Sequence, residues 1–78
     1  MRTNLTDPAA LGRLLRQVRK QLALTQQDVA LAAGVGLRFV VELEAGKPSV
    51  RLENVMRVLD VLGVSLLAEH EAVTDKST

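Results

Sequence analysis

The residues best suited to acid–base chemistry occur together only once, in the run Glu69-His70-Glu71 near the C-terminus. A carboxylate beside an imidazole can transfer protons, but nothing around this run predicts a pocket. The chain has no cysteine and one histidine, so disulfides and thiolate metal sites are excluded. It has no recognisable Ser-His-Asp set and no glycine-rich phosphate loop. We therefore expect a protein that is not an enzyme and that uses no cofactor or metal.

Basic residues are concentrated in the first two thirds of the chain. Residues 1–51 carry eight Lys/Arg and four Asp/Glu, a net charge of +4, whereas residues 52–78 carry two and five, a net charge of −3. The first part is suited to a polyanion and the last part is not. The alternative is that both parts are ordinary solvated faces, and the charges alone leave both interpretations open.

The composition favours a cytoplasmic protein. The absence of cysteine fits a reducing compartment. No apolar run approaches the roughly 18 residues that a membrane-spanning helix needs, and the first residues, MRTNLTDPAALGRL, lack the apolar core of an export signal. We expect no association with a membrane.

Two helices are predicted in the first half of the chain. Asp7-Pro8 can start the first helix, because Asp caps well and Pro suits the first helical position. Its inner stripe is Leu11, Leu15, Val18 and Leu22. The second helix begins at Thr25, which can form a capping box with Asp28. It ends at Gly34, which can adopt the left-handed conformation of a helix stop.

Two further helices are predicted before residue 64. The third runs from about Leu37 to Ala45 and ends at Gly46, and Lys47-Pro48 prevents its continuation. Ser49 caps the fourth helix, which ends at Gly63. The inner stripe of this helix is Leu52, Val55, Leu59 and Leu62. The fold class is therefore all-α.

The segment Val64–His70 has a different pattern. Its apolar residues Val64, Leu66 and Ala68 alternate with other side chains, which favours a short β-strand. A single strand cannot satisfy its own backbone, so it would pair with the same strand of a second copy. The alternative is a short helical turn or a frayed tail. The predicted organisation is a flexible N-terminus (1–7), a helical domain (8–63), a dimerisation strand (64–70) and a disordered tail (71–78).

The stretch from Gln26 to Leu43 is the most informative part of the sequence. Two short helices joined by a tight turn need a small residue where they meet, and Ala30 is in that place. Gly34 supplies the turn, and Val40 and Leu43 can anchor the second helix to the core. This set of residues at this spacing predicts a helix-turn-helix.

The wider motif resembles a known family. The pattern is Thr25-Gln26-x-x-Val29-Ala30-x-x-Ala33-Gly34-Val35-x-x-x-x-Val40-x-x-Leu43-Glu44-x-Gly46, and it is similar to the lambda-repressor/Cro-type (XRE) helix-turn-helix family over roughly residues 11–63. The run RFVVELEAGKPSVRLENVMRVLDVLGV further resembles the HipB-like antitoxins. The resemblance implies a lambda-repressor-like helical bundle whose C-terminal strands pair across a homodimer.

The resemblance also implies a function. It predicts a sequence-specific repressor that binds an inverted-repeat operator in double-stranded DNA, in the cytoplasm and nucleoid of a prokaryote. The subgroup implies an autoregulating antitoxin whose partner is a HipA-type kinase toxin. The alternatives are a protein-interaction module that mainly neutralises a toxin, and a phage or restriction-modification regulator.

The family's DNA contacts can be transferred to particular positions of this chain. The first turn of the third helix would face the bases through Gly36, Leu37 and Arg38. The Arg38 fork can bond guanine O6 and N7, Leu37 can contact a thymine methyl, and Glu42 can accept from cytosine N4 or orient Arg38. Gly36 and Leu37 depart from the polar residues that are usual there, so more of the recognition would depend on DNA shape. The alternative is that Arg38 and Glu42 form a simple surface pair at i, i+4.

The resemblance places further residues on the DNA backbone or in the protein framework. The predicted phosphate contacts are Thr25, Gln26, Gln27, Lys47, Ser49 and Arg51. Lys47 and Arg51 have an alternative interpretation as solvated loop charges. The resemblance also implies that Glu44 pairs with Arg19 and ties the third helix to the first.

Overall fold

The computed structural model describes residues 2–71, and within this range the chain forms four helices and no strand. The helices are α1 (Pro8–Gln21), α2 (Gln26–Ala33), α3 (Leu37–Glu44) and α4 (Leu52–Leu62). The helices α1 and α2 each pack against both α3 and α4. The all-α prediction is thus confirmed for the described part of the chain. None of these helices has the length and apolarity that crossing a membrane requires.

The predicted capping residues fix the starts of α1 and α2. Asp7 Oδ1 accepts a hydrogen bond from the Ala10 N–H at 2.8 Å. Thr25 Oγ1 accepts from the Asp28 N–H at 3.0 Å, and Asp28 Oδ2 accepts from the Thr25 N–H at 2.9 Å, which completes the capping box. Gly34 follows α2 with a φ of 70°, a conformation that favours glycine. These predictions are confirmed.

The start of α4 differs from the prediction. The helix begins at Leu52, and Arg51 is in the N-cap position without a side-chain capping bond. Val50 packs against the core just before it, which keeps the chain extended through Arg51, with φ −73° and ψ 122°. The prediction that Ser49 caps this helix is therefore wrong. Leu52, which we expected to face inward, is 64% exposed, whereas Val50 packs against the core.

The core is aliphatic and takes residues from all four helices. Ala30, Val40 and Leu43, on which the helix-turn-helix prediction depends, are at most 2% exposed. Burial of each enclosed Val or Leu side chain contributes about 1.5–3 kcal/mol to stability. Of the inner stripe predicted for α1, Leu15 is fully buried. Leu22 is not, because it follows the last turn of the helix and is 50% exposed. The fully or nearly buried apolar residues are Leu15, Val29, Ala30, Ala33, Val40, Leu43, Val55, Val58, Leu59 and Leu62.

Two glycines allow α1 to approach the end of α3. A Cβ on Gly12 would lie 2.5 Å from the backbone oxygen of Glu44, closer than real Cβ atoms come. A Cβ on Gly46, which has a φ of 85°, would lie 2.8 Å from Ala9 Cα. The backbones are in direct contact at both places, so the last turn of α3 is held against α1.

The chain after α4 forms neither helix nor strand up to Glu71 in the single copy described. Val64 packs against the core, whereas Leu66 and Leu67 are 54% and 67% exposed. The strand expected at Val64–His70 would need a second copy to pair with, so the strand and the dimer remain predictions. The disorder predicted for residues 71–78 concerns, apart from Glu71, residues outside the described range.

Candidate nucleic-acid interface

The turn between α2 and α3 leaves the start of α3 open to solvent. The Val35 N–H donates to the Ala30 carbonyl at 3.0 Å and closes the turn after Gly34. Gly36 is the N-cap of α3 and has an extended backbone. Apart from Gly36 and its two chain neighbours, no atom of residues 2–71 lies within 4 Å of the place where a Gly36 Cβ would be. A large ligand can therefore approach the first turn of α3 closely.

The helix α3 has one packed face and one exposed face. Its inner face is covered by α1 and α2. On the outer face, Leu37 and Val41 are 45% and 42% exposed, and the Arg38 side chain is 90% exposed. The inward-facing residues are Phe39, Val40 and Leu43. The helix thus presents Leu37, Arg38 and Val41 together to solvent.

Glu42 lies between two cations on this outer face. Its Oε2 is 3.2 Å from Arg38 Nε and 3.4 Å from Lys47 Nζ. Partial burial acts to raise the pKa of Glu42, but the hydrogen bonds and charges of Lys47 and Arg38 outweigh it and hold the pKa below its ordinary value. Arg38 uses only Nε in this pair, and its two Nη atoms have no partner among residues 2–71. The open end of the guanidinium fork is therefore available to a pair of acceptors.

The first turn of α2 presents backbone donors. The N–H groups of Gln26 and Gln27 have no acceptor within the described range, as is usual for the first positions of a helix. The helix dipole makes this end favourable for an anion. The Thr25 hydroxyl accepts the capping bond and also lowers the pKa of the Asp28 carboxyl, so its proton can reach a phosphate only by leaving Asp28. The start of α2 can therefore offer two amides and one hydroxyl to a phosphate.

The cations and the hydroxyl after α3 are exposed. Lys47 contacts Glu42, and Arg51 Nη2 is 3.8 Å from Glu53 Oε1 with its side chain 79% exposed. Ser49 is exposed and lies outside the helices. Surface ion pairs are worth at most about 1 kcal/mol, so either cation can exchange its carboxylate for a phosphate oxygen.

Glu44 is the centre of a buried polar network that joins α1, α2 and α3. Arg19 binds it with two nitrogens, Nε to Oε2 at 2.6 Å and Nη2 to Oε1 at 3.0 Å. Arg19 Nη1 also donates to the Leu24 carbonyl at 2.9 Å. The side chains of Arg19 and Glu44 are 10% and 5% exposed. The hydrogen bond to Glu44 raises the pKa of Arg19 against the opposing effect of burial.

The predicted site residues fall into separate groups in the fold. One group is Arg38, Glu42 and Lys47, and a second is Arg19, Gln26 and Glu44. The proposed strand residues share no hydrogen bond or ion pair with either group within residues 2–71. They lie along a groove beside α1 and α4, whose lining includes Val64, Leu66, Ala68, Leu14 and Leu59.

Two features of the interface are absent from the sequence prediction. Val41 shares the exposed face with Leu37. Residues four apart lie on one face of a helix, so the spacing of these two apolar residues could have predicted that they are neighbours. Gln26 donates its side-chain amide to Glu44 Oε1 at 3.1 Å, so its side chain is engaged within the protein. No local pattern connects two positions so far apart in the sequence.

Comparisons with known proteins identify the family of the chain. The helix-turn-helix family HTH_3 matches residues 15–68. The "uncharacterized HTH-type transcriptional regulator y4mF" of Sinorhizobium fredii is 48% identical over 66 residues, which cover 85% of this chain and 87% of that protein.

Solved structures share the fold. The HipB-O4 20mer complex contains a chain with a TM-score of 0.81 and 20% identity, covering 91% of this chain and 100% of that chain. The HipA-HipB-O2-O3 complex gives a TM-score of 0.82 at the same identity and coverage. The restriction-modification controller protein C.AhdI from Aeromonas hydrophila has a TM-score of 0.69 and 26% identity, covering 78% of this chain and 92% of that one.

Proposed function

The chain belongs to the helix-turn-helix family HTH_3, and from this premise we propose that it represses transcription by binding an inverted-repeat operator as a homodimer. Within this proposal, α3 lies in the major groove. The observation that carries the proposal is the outer face of α3, where Arg38 is 90% exposed at the side chain while the inner face is packed against α1 and α2.

Sequence discrimination is assigned to the first turn and the outer face of α3. The free Nη atoms of Arg38 can bond guanine O6 and N7 together. Glu42 holds Arg38 Nε and so limits the directions in which the fork can point. Gly36 permits close approach of the backbone, and Leu37 adds an apolar contact.

Affinity is assigned to groups that contact phosphates. The backbone amides at Gln26 and Gln27 and the Thr25 hydroxyl form one such set. A second set follows α3 and consists of Lys47, Ser49 and Arg51. These contacts position the protein on DNA without reading sequence, and they make binding sensitive to salt.

Dimerisation is assigned to the segment after α4. Pairing of Val64, Leu66 and Ala68 with the same residues of a second copy would give partners to the backbone groups of Leu66 and Ala68 and cover the exposed Leu66 side chain. The Val64 N–H already donates to the Leu59 carbonyl at 2.9 Å, so Val64 would add only its carbonyl. Apolar residues of α4 can join this interface, since Met56 is 50% exposed. A small domain also gains stability from such burial. The two α3 helices would then meet successive major grooves, about 34 Å apart.

We further propose that the protein is the antitoxin of a HipA-type toxin and represses its own operon. The support is similarity of fold to HipB, which at 20% identity concerns the fold alone. The alternative is a restriction-modification controller, which the 26% identity to C.AhdI favours. Co-expression with the product of the adjacent reading frame tests this choice. A kinase-like toxin that is neutralised and co-purified supports the antitoxin, and an adjacent restriction enzyme supports the controller.

The direct test of operator binding is selection of bound duplexes from a random DNA pool. We expect enrichment of an inverted repeat with half-sites one helical turn apart, and binding that weakens as salt rises. A module that binds only proteins would enrich no sequence and would shift no palindromic duplex. That result would contradict the proposed function.

A further inference from the structure

An apolar pair lies on the outer face of α3. Leu37 and Val41 are one helical turn apart and are 45% and 42% exposed. Arg38 and Glu42 lie beside them and are bonded to each other at 3.2 Å. We call Leu37 and Val41 the apolar pair. It lies next to the ion pair of Arg38 and Glu42, on the surface that would face the bases under the proposed function.

Helix propensity does not require an apolar side chain at either position of the apolar pair. Valine at an exposed helical position is less favourable than the straight-chain polar residues, because its branched Cβ restricts rotamers. Leu37 occupies the first turn, where the helix dipole favours an acidic side chain. Each residue is more than half covered by the protein, and the part that stays exposed can be buried against a ligand.

We propose that the apolar pair reads the 5-methyl groups of pyrimidines in the major groove, and this inference rests on the proposed function. Thymine presents its methyl group there, and apolar side chains are its usual contacts. Leu37 and Val41 have no hydrogen-bonding group in their side chains, so a methyl group is the feature of a base edge that they complement. The pair thereby selects thymine at defined operator positions next to the base pair that Arg38 contacts.

The apolar pair is long enough to contact two different base pairs. Four residues of α-helix advance about 6 Å, and successive bases on one strand are about 3.4 Å apart. Leu37 and Val41 can therefore contact methyl groups at two separate positions of one half-site. The 5-methyl group of methylated cytosine occupies the same place in the groove, so it shares the chemistry that the pair recognises.

The experiment uses the full chain and the duplex obtained by selection. Each thymine in a half-site is replaced singly by deoxyuridine, which keeps the base pair and removes only the methyl group. We expect about fourfold weaker binding at each of two positions, from the loss of one buried methyl. Val41→Ala should abolish the effect at one position and Leu37→Ala at the other. Leu22→Ala removes a similarly exposed apolar side chain outside α3 and should leave both effects intact.

A second comparison separates thymine from the methyl group itself. At each sensitive position a C·G pair is compared with a 5-methylcytosine·G pair, and the methylated duplex should bind about fourfold more tightly. Equal affinity of the two duplexes would contradict recognition of the methyl group. Tight, selective binding that is indifferent to every deoxyuridine would overturn the inference while leaving the proposed function standing. Failure to bind any selected duplex would overturn both.

Discussion

The Cα of Gly12 in α1 packs directly against the backbone carbonyl of Glu44 in the last turn of α3. A Cβ on Gly12 would lie 2.5 Å from the Glu44 oxygen. The neighbouring atoms are backbone, which cannot move aside as a flexible side chain can. This contact brings α3 within reach of α1, and the Glu44 side chain meets Arg19 at 2.6 Å. One small residue therefore supports the polar network behind the candidate interface.

Gly12→Ala should destabilise the protein by about 1–3 kcal/mol through overpacking. Without the contact, the same change would stabilise a helix by up to about 1 kcal/mol, so the sign of the effect tests the structure. Urea denaturation provides the measurement. Gly36→Ala is the matched control, because Gly36 has negative φ and the added Cβ would meet no atom within 4 Å among the described residues other than its chain neighbours. We expect that variant to remain within about 1 kcal/mol of wild type. A stabilised Gly12→Ala protein would contradict the packing.

Glu44→Ala should cost about 3–5 kcal/mol, because it leaves the Arg19 guanidinium buried without its carboxylate. Thermal denaturation measures this loss. Glu53→Ala is the control, since Glu53 forms exposed pairs with Arg57 and Arg51 and should matter by less than about 1 kcal/mol. The double variant Arg19→Met with Glu44→Leu should lose less stability than Glu44→Ala alone, because it leaves no buried charge without a partner. A melting temperature of Glu44→Ala within about a degree of wild type would refute the role of the buried pair.

Local patterns predict the parts of this fold that depend on neighbours in sequence. The Thr25–Asp28 capping box and the Gly34 stop need only a few adjacent residues, and both are present in the structure. The family resemblance supplies the pairing of Arg19 with Glu44. The bond from Gln26 to Glu44 and the need for glycine at position 12 arise from three-dimensional contacts between helices. The packing of Val50 against the core just before α4 is likewise a tertiary contact, and the local pattern at Ser49 does not indicate that the helix starts after Arg51.

The capping box of α2 should make stability depend on pH. The Thr25 backbone N–H, and then its hydroxyl, lower the pKa of Asp28 below the ordinary value of about 4. The stabilisation is therefore fully present above that ordinary value and is lost as pH falls through the lowered one. Asp28→Asn should be less stable than wild type at pH 7, and the gap should close in acid. Asp60→Asn controls for the loss of one charge on an exposed residue. Urea titrations between pH 7 and acid in which the gap stays constant would contradict this linkage.

Arg38→Ala and Lys47→Ala should affect DNA binding in different ways. Loss of a bidentate guanine contact by Arg38 should reduce discrimination against the wrong base by about 1–3 kcal/mol at one position of each half-site. Loss of Lys47 should weaken all sequences alike and reduce the slope of log K against log salt by about 0.9 per phosphate contact. Anisotropy titrations on operator and mutated duplexes at several salt concentrations separate the two effects. If Arg38→Ala weakened binding equally to every duplex, Arg38 would not take part in base recognition.

Deletion of residues 64–78 should yield a monomer that binds operator DNA weakly. The segment carries Leu66 and Ala68, whose pairing across a dimer would satisfy backbone groups that have no partner strand among residues 2–71 of one copy. It also carries Val64, whose N–H is already bonded to the Leu59 carbonyl. A monomer contacts one half-site, so it loses the joint binding of two recognition helices to one duplex. Deletion of residues 72–78 alone is the matched control and should leave the dimer intact. Sedimentation equilibrium gives the oligomeric state of each protein. If the shorter protein remained a tight dimer, the interface would have to lie on the helices, with exposed Leu52 and Met56 of α4 as its first candidates.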